Sequence, residues 1–261
     1  SLLGPTPFEA SSIADTYPNV DEDECFVAVL KSPVRQRRPN IVVKRRSAMG
    51  DVIWITPVVA ALRRRFPEHN LIVVTAQTQV FMNNPDVDLV FSPHYEPLPD
   101  DLIVDLDLAY EQRRDLHLLH AYADASGVSV SDTAPRLFPT ALHVQRIASA
   151  LRQRFQPEGV THLLAVHMAA TSPDRIWPAA SWQALLTTVL NEVPSLGIVA
   201  LGSDNDFSLD KLGIHSPRTW CLVGKLDLLH TAAALAQCDL LVGPDSGLLH
   251  VAAAMQTPYI G

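Results

Sequence analysis

Short apolar runs alternate with amphipathic segments along most of this chain, and this alternation constrains the fold more than any other feature of the sequence. The first cycle starts with the β-branched run "IVVK" at 41–44, continues through an apolar-periodic segment at 51–66 that stops at Pro67, and reaches the run "LIVVT" at 71–75. A strand, a helix and a strand in this order make a β-α-β unit. The sequence therefore predicts an α/β fold built on parallel sheets.

The alternation continues to 155 and restarts after Pro157 and Gly159 interrupt the chain. In the first half we expect further strands at 87–91 and 102–106, and helices at 108–126 and 141–155. In the second half we expect strands at 162–168, 197–201, 219–223 and 239–243, with helices at 179–193, 227–237 and 247–255. Two Rossmann-like α/β/α domains are therefore predicted, at 41–157 and 158–261.

Both ends of the chain depart from this pattern. Residues 1–40 are rich in proline and contain the acidic run "DEDE" at 21–24, so they are expected to form an N-terminal extension with a short strand near 26–30. The last residues, "TPYIG", look like a strand that is entered and then cut, so the C-terminal end of the fold is expected to be incomplete.

Composition narrows the classes of function. The chain has 261 residues, of which 48% are hydrophobic, and a net charge of −8, so it can bury a core and is not expected to bind nucleic acid. A local excess of Lys and Arg at 31–46 indicates either a solvated basic face or contact with an anionic acceptor or membrane surface. The three cysteines lack metal-ligand spacing, and no apolar run reaches the roughly 18 residues of a membrane span, so we expect a cytoplasmic protein without a bound metal.

The stretch "SAMGDVIWITP" at 47–57 carries an acid where the first strand gives way to a helix. Met49 and Gly50 form a small loop before Asp51. An acid at this position is either a helix cap or a working carboxylate, since open α/β sheets bind ligands at the carboxyl ends of their strands. The residues around it leave both interpretations open.

The stretch "LVGPDSGLLHVAAAM" at 241–255 predicts an anion site. A strand leads into Asp245, Ser246 and Gly247, and an Ala-rich helix follows directly, with His250 in its first turn. Free N–H groups and the positive end of the helix dipole then point at one spot. The alternative is that Asp245 or Ser246 merely caps the helix and His250 is a core residue.

Two further loops of the second half contain polar residues after a strand. In "HMAATSPDRIWPAASW" at 167–182, Arg175 suits a bidentate contact with phosphate, although it could equally pair with a surface acid. In "LGSDNDF" at 201–207, Asp204 and Asp206 could accept ribose hydroxyls or simply form a turn. Neither G-x-G-x-x-G nor the P-loop pattern occurs, which argues against a nicotinamide enzyme and an ATPase.

Three segments, in order and at suitable separation, resemble the motifs of the heptosyltransferase-like glycosyltransferases, glycosyltransferase family 9. They are "VVKRRSAMGDVIWITPVVAALRRRFP", "HMAATSPDRIWPAASWQAL" and "CDLLVGPDSGLLHVAAAMQTP", and the resemblance covers 41–261. It implies a GT-B fold with two Rossmann-like domains facing a cleft, and inverting sugar transfer without a metal or other cofactor. It also implies roles for individual residues: Asp51 as general base; Arg175 on the donor diphosphate; Asp245, Ser246, Gly247 and His250 in the donor loop; Asp204 or Asp206 on the ribose; Thr171 and Ser172 as phosphate donors; and Met49 and Gly50 in an acceptor-side loop.

The resemblance implies transfer of a heptose or related sugar from a nucleotide-sugar donor, ADP-heptose above all, to a lipopolysaccharide-core or similar glycan. The acceptor would be membrane-anchored, which would bring the protein to the inner face of the membrane. Three alternatives stay open: a heptosyltransferase acting on a protein acceptor, a catalytically silent nucleotide-sugar-binding or scaffold module, and a sugar-nucleotide epimerase on the same two-domain architecture.

Overall fold

The computed structural model describes residues 38–261 except Asn205. Nearly all of the predicted extension at 1–40, including the strand expected near 26–30, lies outside the described residues. Within them, the helices and strands alternate as the sequence predicts, and every strand pairing is parallel. The predicted α/β class is therefore confirmed.

The first sheet contains four strands, which are β1 (Asn40–Lys44), β2 (Asn70–Val74), β3 (Leu89–Phe91) and β4 (Leu102–Asp105). Their order across the sheet is β3-β2-β1-β4. β1 is central, and its Val42 lies opposite Ile72 on one side and Ile103 on the other. Because the strands are parallel, the segments that follow β1 and β4 leave the sheet at the same edge.

The second sheet contains five strands, which are β5 (His162–Val166), β6 (Leu196–Ala200), β7 (Thr219–Cys221), β8 (Leu240–Val242) and β9 (Tyr259–Ile260). Their order is β7-β6-β5-β8-β9, so β5 is central. The segments after β5, β6 and β8 are those in which the sequence predicts donor-binding residues. Parallel pairing brings them to one edge of this sheet.

The segment 51–66, expected as one helix, is two helices, α1 (Met49–Trp54) and α2 (Thr56–Arg65). The break lies at Ile55, just before Pro57. Proline has no backbone N–H to donate to the carbonyl of Ile53. The hydroxyl of Thr56 donates to that carbonyl instead, at 2.7 Å.

The helix expected at 108–126 is wrong in its first half, because α3 spans only Leu118–Ser126. Leu108 has a positive φ of 60°, which a helix interior does not allow. His117 caps α3, since its Nδ1 accepts the N–H of Leu119 at 3.3 Å. The end near Gly127 is as predicted: this glycine has a left-handed φ of 63°.

The remaining helices agree with the prediction to within three residues at each end. They are α4 (Ala141–Phe155), α5 (Ala179–Glu192), α6 (Leu228–Leu235) and α7 (Gly247–Ala254). α4 packs against α6, and α1 packs against α7, so helices of the first half contact helices of the second. One continuous cluster of buried apolar side chains includes Val43 of β1 and Leu241 of β8. The division of the chain into domains at 157 therefore stays a prediction.

Among the described residues, no helix has both the length and the apolar character that crossing a bilayer requires.

Candidate functional site

The first turns of α1 and α7 meet, and each helix has a glycine at the point of contact. The imidazole of His250 lies against Gly50, where an added Cβ would come within 2.6 Å of its Nε2. The terminal methyl group of Met49 lies against Gly247, where an added Cβ would overlap it. The glycines at 50 and 247 therefore let the two halves approach closely, and they place Asp51 beside the helix that carries His250. Met49 and Gly50, expected in an acceptor-side loop, instead form the first turn of α1 and contact the second half.

A side-chain hydrogen bond crosses the same junction. The indole Nε1–H of Trp54, on α1, donates to Nδ1 of His250 at 2.9 Å. The rings of Trp54 and His250 are nearly perpendicular, at 79°. Burial lowers the pKa of His250, and the negative charges of Asp245 and Asp51 oppose this shift without cancelling it. The imidazole at the junction is therefore neutral at neutral pH.

Asp51 is held by an arginine that the sequence interpretation passed over. Arg45 follows β1 and is buried, with 5% of its side chain exposed. Its Nη2 donates to Asp51 Oδ2 at 2.7 Å and to Glu111 Oε1 at 3.0 Å. One guanidinium thus joins two carboxylates, and 25% of the Asp51 side chain stays exposed to solvent. Asp51 makes no side-chain cap on α1, so the capping interpretation is wrong for this residue.

Tyr122 of α3 completes the surroundings of this ion pair. Its ring lies 5.6 Å from the guanidinium carbon of Arg45, in cation–π geometry. Burial raises the pKa of its hydroxyl, and the charge of Asp51 adds to that shift. Among the described residues, this buried hydroxyl has no hydrogen-bond partner. The phenol therefore stays protonated next to Asp51.

The start of α7 is an uncapped helix N-terminus. Ser246 is its N-cap residue, but the serine side chain makes no cap hydrogen bond. Its Oγ is buried and has no partner among the described residues. The capping interpretation of Ser246 is therefore wrong. A buried hydroxyl without a partner costs free energy, which a bound acceptor such as a phosphate oxygen would recover.

Arg175 and Asp245 are brought together at the same edge. Arg175 Nη1 donates to the backbone carbonyl and to the carboxylate of Asp245, both at 3.0 Å. Both side chains are at least half exposed, so the pair is weak and can reopen. Thr171 is exposed and Ser172 is half-buried, and they precede the single turn Pro173–Arg175. The structure thus places these four residues in adjoining loops.

Asp204 and Asp206 lie in the loop after β6 and differ in their surroundings. The carboxylate of Asp206 is mostly buried, accepts the N–H of Ser203 at 2.7 Å and lies 3.9 Å from Nδ1 of His167. Asp204 is exposed and packs against Gly224, which has a left-handed φ of 70°. Asp206 shapes its own loop, whereas Asp204 has the freer carboxylate. Asp204 is therefore the better placed of the two for a ligand hydroxyl.

Several residues of the site were missed from sequence. One signal was available for Arg45, which is a cation directly after a central strand. Trp54 is spaced three residues from Asp51, which puts both on one face of a helix, but nothing in the sequence indicates its partner. The remaining three come from distant segments whose approach only the tertiary fold reveals. They are Glu111, Tyr122 and His167.

A second cluster of titratable residues lies where α4 meets α6. Ligand atoms of His143, Asp227 and His230 lie within 4.8 Å of one another. Their contacts, however, are those of helix caps: His143 Nδ1 bonds to Thr140, and Asp227 Oδ1 bonds to both the N–H and Nδ1 of His230. Two helix N-termini also point here, and their positive ends disfavour a cation. We therefore interpret the cluster as capping.

Known proteins resemble this chain at both the sequence and the structural level. The family model "Glycosyltransferase family 9 (heptosyltransferase)" matches residues 118–261. Lipopolysaccharide heptosyltransferase 2 of Salmonella typhimurium is 28% identical over 96 residues, which are 35% of this chain and 28% of that protein. The match thus spans less than a third of the curated relative.

Two solved structures share the fold. A glycosyl transferase family 9 protein from Veillonella parvula superposes with a TM-score of 0.67 at 19% identity, over 85% of this chain and 79% of that one. The E. coli heptosyltransferase WaaC, solved with ADP, superposes with a TM-score of 0.61 at 16% identity, over 84% of this chain and 86% of that one. The predicted GT-B type fold, with Rossmann-like α/β/α parts, is confirmed by these similarities.

Proposed function

Because this chain belongs to glycosyltransferase family 9, we propose that it transfers a heptose or a related sugar from an ADP-activated donor to a lipopolysaccharide-core or similar glycan. Transfer would invert the anomeric carbon. The donor diphosphate would bind at the start of α7, and the acceptor would approach from the side of α1.

The observation that carries this proposal is the pairing of Asp51 with the uncapped start of α7. Inverting transfer needs a base on the acceptor side and an anion site for the leaving group opposite it. Asp51 supplies a partly exposed carboxylate on one half. The other half supplies free backbone N–H groups, the unpartnered Oγ of Ser246 and the neutral imidazole of His250.

The chemical step follows from this arrangement. The acceptor hydroxyl oxygen attacks the anomeric carbon while Asp51 takes its proton. The bond from that carbon to the diphosphate oxygen breaks, and its electron pair leaves with the nucleoside diphosphate. The start of α7 and the Nε2–H of His250 would stabilise the new negative charge. Arg175 would add a positive charge once its pair with Asp245 opens, and Thr171 and Ser172 would add hydroxyl donors. These groups make a metal or other cofactor unnecessary in the proposal.

We propose a membrane-anchored glycan approached from the cytoplasmic face. Arg46, which is exposed directly after Arg45, offers a cation for acidic groups of such an acceptor, although it is paired with Asp107. A protein acceptor would use the same donor site and the same base, and only the product distinguishes the two.

Replacing the base tests the proposal. Asp51→Asn keeps an oxygen for Arg45 but removes the basic carboxylate, so we expect transfer to fall about 10²–10⁴-fold while ADP binding stays near wild type. ADP release and acceptor glycosylation would be followed together, with calorimetry for ADP binding. Asp115→Asn, which changes an exposed ion pair with Arg113, is the control.

Two results would contradict the proposal. Full turnover of Asp51→Asn would remove Asp51 from the role of base. Binding of ADP-sugar by the wild type without transfer to any glycan or peptide acceptor would favour the silent binding module. The position of Met49 supports that alternative, since its methyl group covers Gly247 at the start of α7.

A further inference from the structure

We infer that Trp54 is a positioning residue for His250: its indole, on one half of the protein, fixes the imidazole on the other half as the neutral Nε2–H tautomer. The site then presents a defined donor to a ligand at the start of α7. The catalytic consequence rests on the proposed function, whereas the tautomer itself does not.

The chemistry of the two rings dictates the tautomer. An indole Nε1–H is a donor and has no acceptor capacity. Its bond to His250 Nδ1, at 2.9 Å, therefore requires a lone pair on Nδ1. In the neutral ring the proton must then lie on Nε2. An imidazolium would carry a proton on Nδ1 as well and would set two N–H groups against each other.

Packing keeps the imidazole in this orientation. Its Cδ2 and Nε2 edge lies against the Cα of Gly50, so the ring cannot turn over without meeting α1. The indole is itself held, since the ring of His117 meets it edge-on at 5.3 Å. The bond between Trp54 and His250 therefore joins two rings that have little freedom of their own.

Two carboxylates near His250 oppose the neutral form of the ring that the indole favours. Asp51 faces the imidazole from α1, and Asp245 faces it from the loop before α7; both carboxylates favour the protonated ring. Burial and the indole bond act in the opposite direction. Without the indole, Nδ1 would be free to take a proton, and the two carboxylates would favour that change.

One short helix thereby carries two functions of the proposed site. Asp51 and Trp54 are three residues apart on α1, which puts them on the same face. The contact between α1 and α7 therefore positions the base Asp51 and fixes the Nε2–H donor of His250 together. A neutral donor can bond to a phosphate oxygen without placing a positive charge next to Asp51.

The test is the tautomer and the pKa of His250 in the apo protein, measured by two-bond ¹H–¹⁵N correlation NMR of the imidazole. In the wild type we expect the Nε2–H form throughout the neutral range. In Trp54→Phe, which keeps an aromatic ring but removes the donor, we expect the pKa to rise by about half a unit to one unit. Trp220→Phe, which changes a ring packed on Phe155 far from His250, is the matched control and should leave the His250 pKa unchanged.

Two results would overturn the inference: a predominant Nδ1–H tautomer in the wild type, or a His250 pKa that is the same in Trp54→Phe and wild type. Because both readouts need neither donor nor acceptor, they hold even if the protein transfers no sugar. If it does, Trp54→Phe should lower kcat most at acidic pH, where the freed imidazole takes a proton and its positive charge makes Asp51 a weaker base, and leave KM for the acceptor near wild type. A uniform loss at all pH values would indicate a merely structural indole.

Discussion

Arg45 is the residue on which the geometry of Asp51 depends. It is a buried cation whose guanidinium is shared by two carboxylates, and it lies over the ring of Tyr122. Its hydrogen bonds to Glu111 and Asp51 raise its pKa above the usual value, although burial, the largest single influence, acts the other way. The cation is therefore permanent, and it holds Asp51 in one orientation.

Removing this cation should be costly to stability. In Arg45→Met, Glu111 and Asp51 face each other without a counter-charge. Because both carboxylates are partly exposed, we expect a loss of about 1–3 kcal/mol, below the full cost of a broken buried pair. Urea unfolding measures it. Arg113→Met, on an exposed pair, should cost less than about 0.5 kcal/mol.

A second variant separates repulsion from lost packing. Adding Glu111→Leu to Arg45→Met removes one of the two facing carboxylates and should recover part of the loss. If the loss of unfolding free energy in the double variant equals the sum of the losses in the two single variants, the guanidinium does not join the two carboxylates in solution.

At the scale of elements, the contact between α1 and α7 depends on two glycines with different neighbours. The neighbour of Gly50 is a ring fixed by Trp54, whereas the neighbour of Gly247 is the end of a flexible methionine side chain. A methyl group added at either position meets the other half, but only the methionine can move away at low cost.

The two glycine-to-alanine variants should therefore differ. Gly50→Ala should lose about 1–3 kcal/mol, because α1 and α7 must separate to relieve the overlap. Gly247→Ala should stay within about 1 kcal/mol of wild type, since Met49 can turn aside and alanine favours the helix. Thermal unfolding compares them. Equal stability of the two variants would mean that this contact is absent in solution.

Local signals predicted the elements better than the contacts between them. The strand at 41–44 and the helix at 141–155 were readable, because β-branched runs and apolar periodicity are local properties. The break at Ile55 comes with Pro57, whose missing N–H leaves the carbonyl of Ile53 to the hydroxyl of Thr56. The turns at 108–117 bring Glu111 to Arg45, a contact between segments far apart in the sequence. Asp51 could be singled out by its place after a strand. Its partner Arg45 lies only six residues away, but Glu111 and Tyr122 come from segments 60 or more residues along the chain, and His250 comes from the opposite half.

At the scale of the whole molecule, His143 and His230 lie where α4 and α6 join the two halves. Their rings are 4.6 Å apart. Burial lowers the pKa of His143, and a positive charge on His230 adds to this, while Asp227 opposes it. The folded protein therefore binds fewer protons at His143 than the unfolded chain does, so its stability should fall as pH drops below about 6.5. The lowered pKa of His250 acts in the same direction.

The variant His143→Gln tests this dependence. Glutamine three residues after Thr140 preserves the capping box without a titratable group. We expect its unfolding free energy to fall less than that of the wild type between pH 7 and mildly acid conditions (about pH 5.5). An unchanged pH dependence would show that His143 titrates alike in both states.

Met49 lies against Gly247 and His250 lies against Gly50, and these two contacts restrict how the two halves can move relative to each other. Sliding one half along the other by a single residue would drive the fixed imidazole of His250 into the backbone of Gly50, although the Met49 side chain could turn aside. The junction therefore resists shear. A bulky substrate would enter by a hinge motion that separates the two halves and first breaks the hydrogen bond between Trp54 and His250.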